Sequence, residues 1–458
     1  MFVGREYELN KLNEMYAGGK FECAIVYGRR RVGKTSLIQE FIKDKRAIYF
    51  LSLETSERIN TENFSNCIWN VATANVNKPP HFANFIDALD AVGDLAADER
   101  IVLAIDEYPY LAKSVNGISS ILQAQIDMRL KNTKLFLILC GSSMSFMENQ
   151  VLGYQSPLYG RRTAQFNIQP FSFFESVRFH ENYNAYDNAV LYGITGGVPH
   201  YLSQFDGRKP LEQNIIDSFF DPASYLFEEP SNLLKQELRE PHVYNGIISA
   251  IAGGSSRLNE IATKTLLETA VCSKYLTSLA SLGIVKKELP ILSNSTKKTI
   301  YRLADNMFRF WYRFVPQNIS QIQSHVGKKV YESIAPQISA YMGEVFEDIC
   351  KQYLWQENLA ERLPFYFRDA GRWWGTNPLK KQEEEIDIVA IGDSQAIFCE
   401  CKWRNEALGR TVLDGLIEKS QMFNYRVKYY ILFSKSGFTD ECEAAASEYV
   451  RLVDFREM

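Results

Sequence analysis

Residues 21–42 read FECAIVYGRRRVGKTSLIQEFI, and three features follow one another there without a gap. Residues 23–27 form an apolar run of the kind a strand buried on both faces shows. Gly28 to Thr35 then spell G-R-R-R-V-G-K-T, a match to the P-loop pattern GxxxxGK[ST]. Residues 36–42 open an apolar helix. Phosphate binding requires this order. Glycines let backbone N–H groups wrap an anion, and the helix that follows turns its positive dipole end toward it. The motif assigns Gly28, Arg31, Val32, Gly33, Lys34, Thr35 and Ser36 to a nucleotide cradle. Lys34 is expected to reach the β- and γ-phosphates of ATP, and the Thr35 hydroxyl to ligate Mg²⁺.

A second segment strengthens the first. RIVLAIDEY (100–108) is an apolar strand ending in Asp106 and Glu107. Asp106 fits the acid that holds the Mg²⁺ shell, and Glu107 the carboxylate that polarises an attacking water. The alternative is a strand that ends in two solvated carboxylates, which is the weaker reading beside a P-loop. KLFLILCGSS (134–143) is a third strand ending in small polar residues, and AIYFLSLE (47–54) a fourth. Strands alternating with helices predict an α/β domain, a parallel sheet covered on both faces.

The chain of 458 residues is long enough for three or four domains, at about 100–200 residues each. With 46% hydrophobic and 23% charged residues it has the composition of a soluble globular protein. A net charge of -4 excludes a wholly basic nucleic-acid coat and leaves room for a local basic patch. MFVGREYELNKL carries no basic stretch followed by an apolar one, so no signal peptide is expected. No apolar run reaches the ~18 residues of a membrane span. The eight cysteines show neither CxxC nor a zinc spacing, which suits reduced thiols in a cytoplasmic protein.

Beyond residue 240 the pattern changes. RLNEIATKT and AVCSKYLTSLASLG read as two helices, the second with Val271, Tyr275, Leu276, Leu279 and Leu282 toward the core and Gly283 as its stop. IVKKELPI and TIYRLAD then read as strands joined by the polar LSNSTKK, a winged-helix layout. Residues 257–298 hold seven Lys/Arg (Arg257, Lys264, Lys274, Lys286, Lys287, Lys297, Lys298) against three Glu, an excess of four that suits a phosphate backbone. The second helix offers only Lys274 and no set of base-reading residues, so contact with DNA would have low sequence specificity. A packing module is the equal alternative. The aromatic run MFRFWYRFV (307–315) reads as core rather than as a base-stacking platform.

From about residue 331 a further unit is expected. YMGEVFEDICKQYLWQ (341–356) is an amphipathic helix with Met342, Val345, Phe346, Ile349 and Leu354 mostly on one side and Glu344, Glu347 and Asp348 as its acids. EEEIDIVAIGDSQAIFCECKW (383–403) reads as a hairpin whose loop is Gly392 to Gln395. That register sets Asp387 opposite Glu400, where two carboxylates repel unless a cation lies between them. Period-2 geometry adds Lys402 to the face of Glu400 and turns Cys399, Cys401 and Trp403 away. Asp, Glu and Lys at one spot can hold Mg²⁺ or Mn²⁺ and stabilise a pentacovalent phosphate. An edge hairpin with a polar face is the alternative.

Both halves resemble known families. FVGREYELNKL looks like the element that precedes the P-loop in AAA+-related and STAND ATPases. SPLYGRRTAQFNIQPFSFFE (156–175) and GITGGVPHYL (193–202) resemble the archaeal-type members of that group. The strand order resembles that of additional-strand P-loop ATPases. These resemblances imply that Val3, Gly4 and Arg5 lie near adenine and ribose. They also imply that Ser142 or Ser143 is a sensor, that Arg161 or Arg162 senses the γ-phosphate, and that the Gly-Gly-x-Pro segment belongs to a helical lid. A solvated arginine pair and a plain turn are the alternatives for the last two. Helix with acid, strand with Asp, strand with ExK resembles the PD-(D/E)XK nuclease superfamily, with Glu347 in the place of its helix acid. GRWWG, EEIDIVA and FCECKW resemble the C-terminal domain accompanying archaeal-type ATPases. Ile386, not proline, precedes Asp387.

The expected organisation is an ATPase core at 1–170, a helical lid at 171–240, a winged helix at 241–330 and a restriction-endonuclease-like α/β domain at 331–458. The expected catalytic residues are Glu107, Asp387, Glu400 and Lys402, with Thr35, Asp106, Glu347, Asp387 and Glu400 as metal ligands. The expected activity is ATP hydrolysis coupled to metal-dependent DNA cleavage. A STAND-like switch with a non-cleaving C-terminal domain is the second reading. No membrane partner is expected, and homo-oligomerisation stays open.

Overall fold

The structure, a computed structural model, describes residues 2–72, 80–293, 295–378 and 380–458. Its contacts divide the chain into two units: the residues up to Phe171 together with Val198–His200, and Ser172–Gly197 together with Tyr201–Met458.

In the first unit, β1 (Glu22–Tyr27), β2 (Ala47–Leu51), β3 (Ile101–Asp106), β4 (Leu135–Gly141) and β5 (Ala164–Asn167) form a sheet in the order β2-β3-β4-β1-β5. Every pairing in it is parallel. Strands β1, β3 and β4 are buried at every position. Ile25, Leu103 and Leu137 enter one core, and Ala24, Ala104 and Ile138 the other. A sheet covered on both faces needs continuous apolar strands, which is why the sequence shows runs there and no alternation. Because β4 lies between β1 and β3, the P-loop, Asp106 and Ser142 all emerge from the same end of three neighbouring strands.

In the second unit the helices Leu258–Thr265 and Thr269–Ser281 precede an antiparallel hairpin of β6 (Val285–Glu288) and β7 (Ile300–Leu303). Asn294 of the expected linker lies outside the described residues. The buried stripe of the second helix is Cys272, Leu276 and Leu279, with Leu282 beyond its end. Val271, expected in that stripe, is 36% exposed, and Tyr275 donates its hydroxyl to Glu240 at 2.8 Å. Leu276, Leu279 and Leu282 are buried as expected, and Cys272 takes the place of Val271 because it packs as an apolar residue. The aromatic run forms the helix Asn306–Phe314 and is core as expected: Phe310 meets Phe219 edge-on at 4.8 Å and Tyr341 at 5.7 Å.

The helix expected at 341–356 is longer, running from Gly327 to Leu359, and its five named apolar residues are all buried. It packs on a mixed sheet of β8 (Asp369–Asn377), β9 (Gln382–Ile391), β10 (Gln395–Lys402), β11 (Val427–Ser434) and β12 (Val450–Asp454), in the order β12-β11-β10-β9-β8. The helix Arg410–Ser420 connects the parallel pair β10 and β11, as a parallel crossover requires. Residues of β10 alternate between the two helices. Ala396 and Phe398 pack with Leu413 and Leu416, whereas the Cys401 thiol meets Cys350 and Trp403 meets Phe346 at 5.1 Å. Among the described residues all eight cysteines are free, and no helix is long and apolar enough to cross a membrane.

Candidate nucleotide site and carboxylate–lysine site

The P-loop is shaped by its glycines. Gly28 has φ +150°, and a Cβ there would sit 2.4 Å from the Ile168 carbonyl oxygen, so no larger residue fits. Gly33 (φ +89°) caps the helix Lys34–Ile42, and Arg31 also takes a positive φ of 74°. Lys34 is buried, its Nζ donating to the carbonyls of Gly28 at 2.9 Å and Arg29 at 2.8 Å. Ser36 is exposed in the first helical turn and Val32 is buried beneath the loop.

The acidic residues meet this loop. Thr35 Oγ1 donates to Asp106 Oδ2 at 2.7 Å, and the Tyr49 hydroxyl donates to the same oxygen at 2.8 Å. Burial and then Asp106 push the Tyr49 phenol far up, so it stays a donor. Thr35 and Asp106 are adjacent hard oxygen donors, a chemistry that fits Mg²⁺. Glu107 adopts φ 51° at the head of the helix Tyr108–Ser114. Ser142 Oγ lies 3.0 and 2.9 Å from its two carboxylate oxygens. Ser143 instead begins the short helix Met144–Phe146.

Val3 and Arg5 are buried beside this loop, and Arg5 donates to the carbonyls of Val32 at 3.0 Å and Gln169 at 2.5 Å while lying 4.3 Å over Phe171. Gly4 (φ +68°) has no room for a side chain against Phe171. Arg161 does not reach the cluster of Lys34, Asp106 and Glu107. It pairs with Asp127 at 2.8 Å, because the turn before β5 brings it to the end of the helix Ile118–Met128. Arg162 donates to the Leu152 carbonyl at 3.1 Å. Gly196 and Gly197 both take left-handed φ, and Val198–His200 group with the first unit, where His200 N donates to the Arg31 carbonyl at 3.4 Å.

In the second unit the hairpin has the expected register. Ile388 pairs with Cys399 and Val389 with Phe398, and the pairing ends there, one step short of Asp387 and Glu400. A bulge intervenes on the other edge of β9. Between Gly371↔Val389 and Trp373↔Ile386, one residue of β8 (Arg372) stands against two of β9, which places the extra residue at Asp387–Ile388. Asp387 Oδ2 accepts from the Cys401 amide at 2.8 Å. Lys402 Nζ lies 2.6 Å from Glu400 Oε1 and 3.5 Å from Asp387 Oδ2. Burial opposes the Lys402 charge, yet Asp387 and Glu400 hold its proton above the usual lysine range.

Two residues complete this arrangement that the sequence did not reveal. Lys419, on the helix after β10, sits 3.5 Å from Glu400 Oε2, so each oxygen of Glu400 faces an ammonium group. Arg372 of β8 lies 3.4 Å from Glu347. Burial, then the Asp387 carboxylate, push Glu347 up to about 9. The donor set of Asp387 and Glu400 fits a hard divalent cation in its chemistry. Among the described residues, however, no three Asp, Glu, His or Cys groups stand within metal-holding reach of one another. The expected three-carboxylate cage of Glu347, Asp387 and Glu400 is therefore not preformed: Arg372 stands against Glu347, and two lysines engage Glu400.

The basic excess of residues 257–298 is smaller at the surface than in the sequence. Lys286 is turned inward and pairs with Glu288 at 2.7 Å and Asp348 at 3.4 Å. Strand alternation sends Lys286 to the long helix and leaves Lys287 exposed.

The chain is 32% identical over 443 residues to the uncharacterized protein MJECL04 of Methanocaldococcus jannaschii, covering 95% of this chain and 96% of that one. The chain belongs to that protein's family. Residues 2–205 match the family described as an ATPase domain predominantly from Archaea, so the P-loop unit is an ATPase domain. Residues 311–412 match a family described as Archaea bacterial proteins of unknown function. Among solved structures, the Walker-type ATPase PABY2304 of Pyrococcus abyssi is 19% identical, with a TM-score of 0.52 over 68% of this chain and 96% of that chain, a likeness of fold. The Aeropyrum pernix ORC2 protein (ADPNP-ADP complexes) is 14% identical, with a TM-score of 0.44 over 70% of this chain and 95% of that chain.

Proposed function

We propose that the chain binds and hydrolyses ATP at its P-loop and uses the nucleotide state to control a metal-dependent phosphodiesterase of the PD-(D/E)XK type in its second unit. Along the chain, residues 171–240 would form a helical lid, 241–330 a winged helix and 331–458 the nuclease-like domain. The observation that carries the first chemistry is the Glu107–Ser142 clamp. It holds a carboxylate at the strand end next to Lys34 and Thr35, where a water attacking the γ-phosphate must be oriented. Lys34 neutralises phosphate charge, and Thr35 with Asp106 would hold Mg²⁺.

The observation that supports the second chemistry is Lys402, whose ammonium contacts both Asp387 and Glu400. A divalent ion bound by those two acids would supply charge for a pentacovalent phosphate. The Cys401 amide fixes Asp387, and Lys402 sits where it can orient a water or neutralise the same charge. The substrate class is nucleic acid, with DNA of low sequence specificity favoured. The test is a cleavage panel of duplex, single-stranded and branched DNA with Mg²⁺ or Mn²⁺, with and without ATP. Asp387→Ala is expected to lose all cleavage while ATP turnover persists. No cleavage by the wild type under any of these conditions would overturn the nuclease reading.

A second reading has an observation of its own. Both oxygens of Glu400 are engaged by lysines, an arrangement that is charge-balanced without metal. A switch whose second unit binds nucleic acid or protein without cleaving would keep this lock closed, and the same panel separates the two.

A further inference from the structure

A cavity of about 390 Å³ in the second unit is lined by Arg302, Arg309, Arg313 and Arg372, with Ser255 at its wall and Glu344 as its lone carboxylate. Its size falls in the ~300–1,000 Å³ range of small-ligand sites. Four guanidinium groups on one wall are unusual, since arginine is always charged and self-repulsion must be offset. Acids on and behind the wall supply part of that offset. Glu344 takes Arg302 at 2.7 Å, Asp348 lies 3.8 Å from Arg309, and Glu347 lies 3.4 Å from Arg372.

The offset is loose at two of these groups, which have ion pairs but no hydrogen bond at one nitrogen each. Arg309 is only 9% exposed and its Nη2 donates to the Leu303 carbonyl at 2.8 Å, whereas its buried Nη1 makes no hydrogen bond and faces Glu344 at an ion-pair distance of 3.6 Å. Nε of Arg372 likewise makes no hydrogen bond, its contact being the 3.4 Å ion pair with Glu347. Arg313, exposed at the rim, lies over the rings of Phe314 at 5.5 Å and Tyr341 at 6.0 Å and has no carboxylate in ion-pair range among the described residues. A buried N–H that makes no hydrogen bond is costly, and an anion with several acceptor oxygens would satisfy it.

We infer that this cavity binds a phosphate group, held by Arg309 and Arg372 from within and by Arg313 at the rim. The phosphate belongs either to a nucleic-acid backbone or to a free nucleotide or inorganic phosphate. The inference does not depend on cleavage. Arg372 also touches Glu347, so an occupant would adjoin the carboxylate–lysine site through that one side chain.

The test uses the full chain carrying Lys34→Ala, so that the P-loop takes no phosphate, in EDTA. Inorganic phosphate is titrated by calorimetry, and a short fluorescein-labelled duplex by anisotropy at rising salt. Saturable phosphate binding that Arg313→Gln and Arg309→Lys each weaken by at least about tenfold supports the site. Arg309→Lys keeps the buried charge, and thermal melts verify that both variants fold. A fall of about one in the duplex salt slope for Arg313→Gln identifies the backbone as the source. An unchanged slope beside lost phosphate binding identifies the free anion. If neither probe binds, or both bind the two variants as they bind the parent, the inference is overturned.

Discussion

Ser142 shows what a single hydroxyl does at the end of a buried strand. Its oxygen meets both oxygens of Glu107 and so fixes the carboxylate plane. Ser142→Ala frees that plane without touching Lys34 or Thr35. ATP turnover is expected to fall about 10–100-fold, the scale of a small misplacement of a catalytic group, while nucleotide affinity changes little. Steady-state ATPase assays beside nucleotide titration check the split, and equal losses in both would contradict it. Lys34→Ala is expected to abolish ATP binding itself in the same titration, and hydrolysis at the wild-type rate would refute the P-loop assignment. The sequence made a polar residue after β4 legible, because the strand's apolar run stops there. It left two serines open, since which of them points at Glu107 depends on the strand's exit geometry. Lys419 was not legible at all, because a lysine late in an amphipathic helix has the same pattern whether it faces water or a carboxylate.

The elements of the second unit explain where period-based reading stops. Alternation correctly separated Glu400 from Cys399 and Cys401 on β10, since regular pleating needs only the sequence. The bulge at Asp387–Ile388 has no composition signal, and it was invisible until the strand was paired with β8. Composition overstates the surplus of positive charge around the β6–β7 hairpin, because Lys286 faces a helix more than fifty residues later. The same long helix is stapled to the sheet edge by Glu357, which is 3% exposed. It accepts from Arg362 Nε at 2.9 Å and from Arg451 Nη2 at 2.8 Å. Burial works against its charge, but the two arginines hold it below the usual carboxylate range. A carboxyl whose folded pKa is depressed contributes stability above its unfolded value and loses it as pH falls through the folded one. Glu357→Gln is therefore expected to cost about 1–2 kcal/mol at neutral pH, discounted for the partly exposed arginines, and nothing once the wild-type carboxyl is protonated. Urea denaturation of both proteins across the acid range checks this. A cost that stays constant with pH would show that shape, not charge, holds the staple.

At the scale of the molecule the chemistry divides as the contacts do, with a nucleotide cluster in one unit and a carboxylate–lysine cluster in the other. Asp387→Ala should leave the nucleotide chemistry intact, and ATPase turnover in that variant within about threefold of wild type checks the division. Turnover lost with Asp387 would mean that the two clusters do not act as separate centres. The motif order along the chain was legible because each motif is local. Contacts such as Arg372 with Glu347 or Lys286 with Asp348 join distant segments, and only the folded chain reveals them. The helix Gly327–Leu359 adds a consequence of its own. Its 33 residues extend about 50 Å, and Glu344, Glu347 and Asp348 sit on it within little more than one turn. The helix therefore sets a phase. One residue inserted ahead of Glu344 would turn all three acids by about 100° at once, away from Arg302, Arg372 and Lys286 together. Length in that element is as constrained as the identity of the side chains it carries.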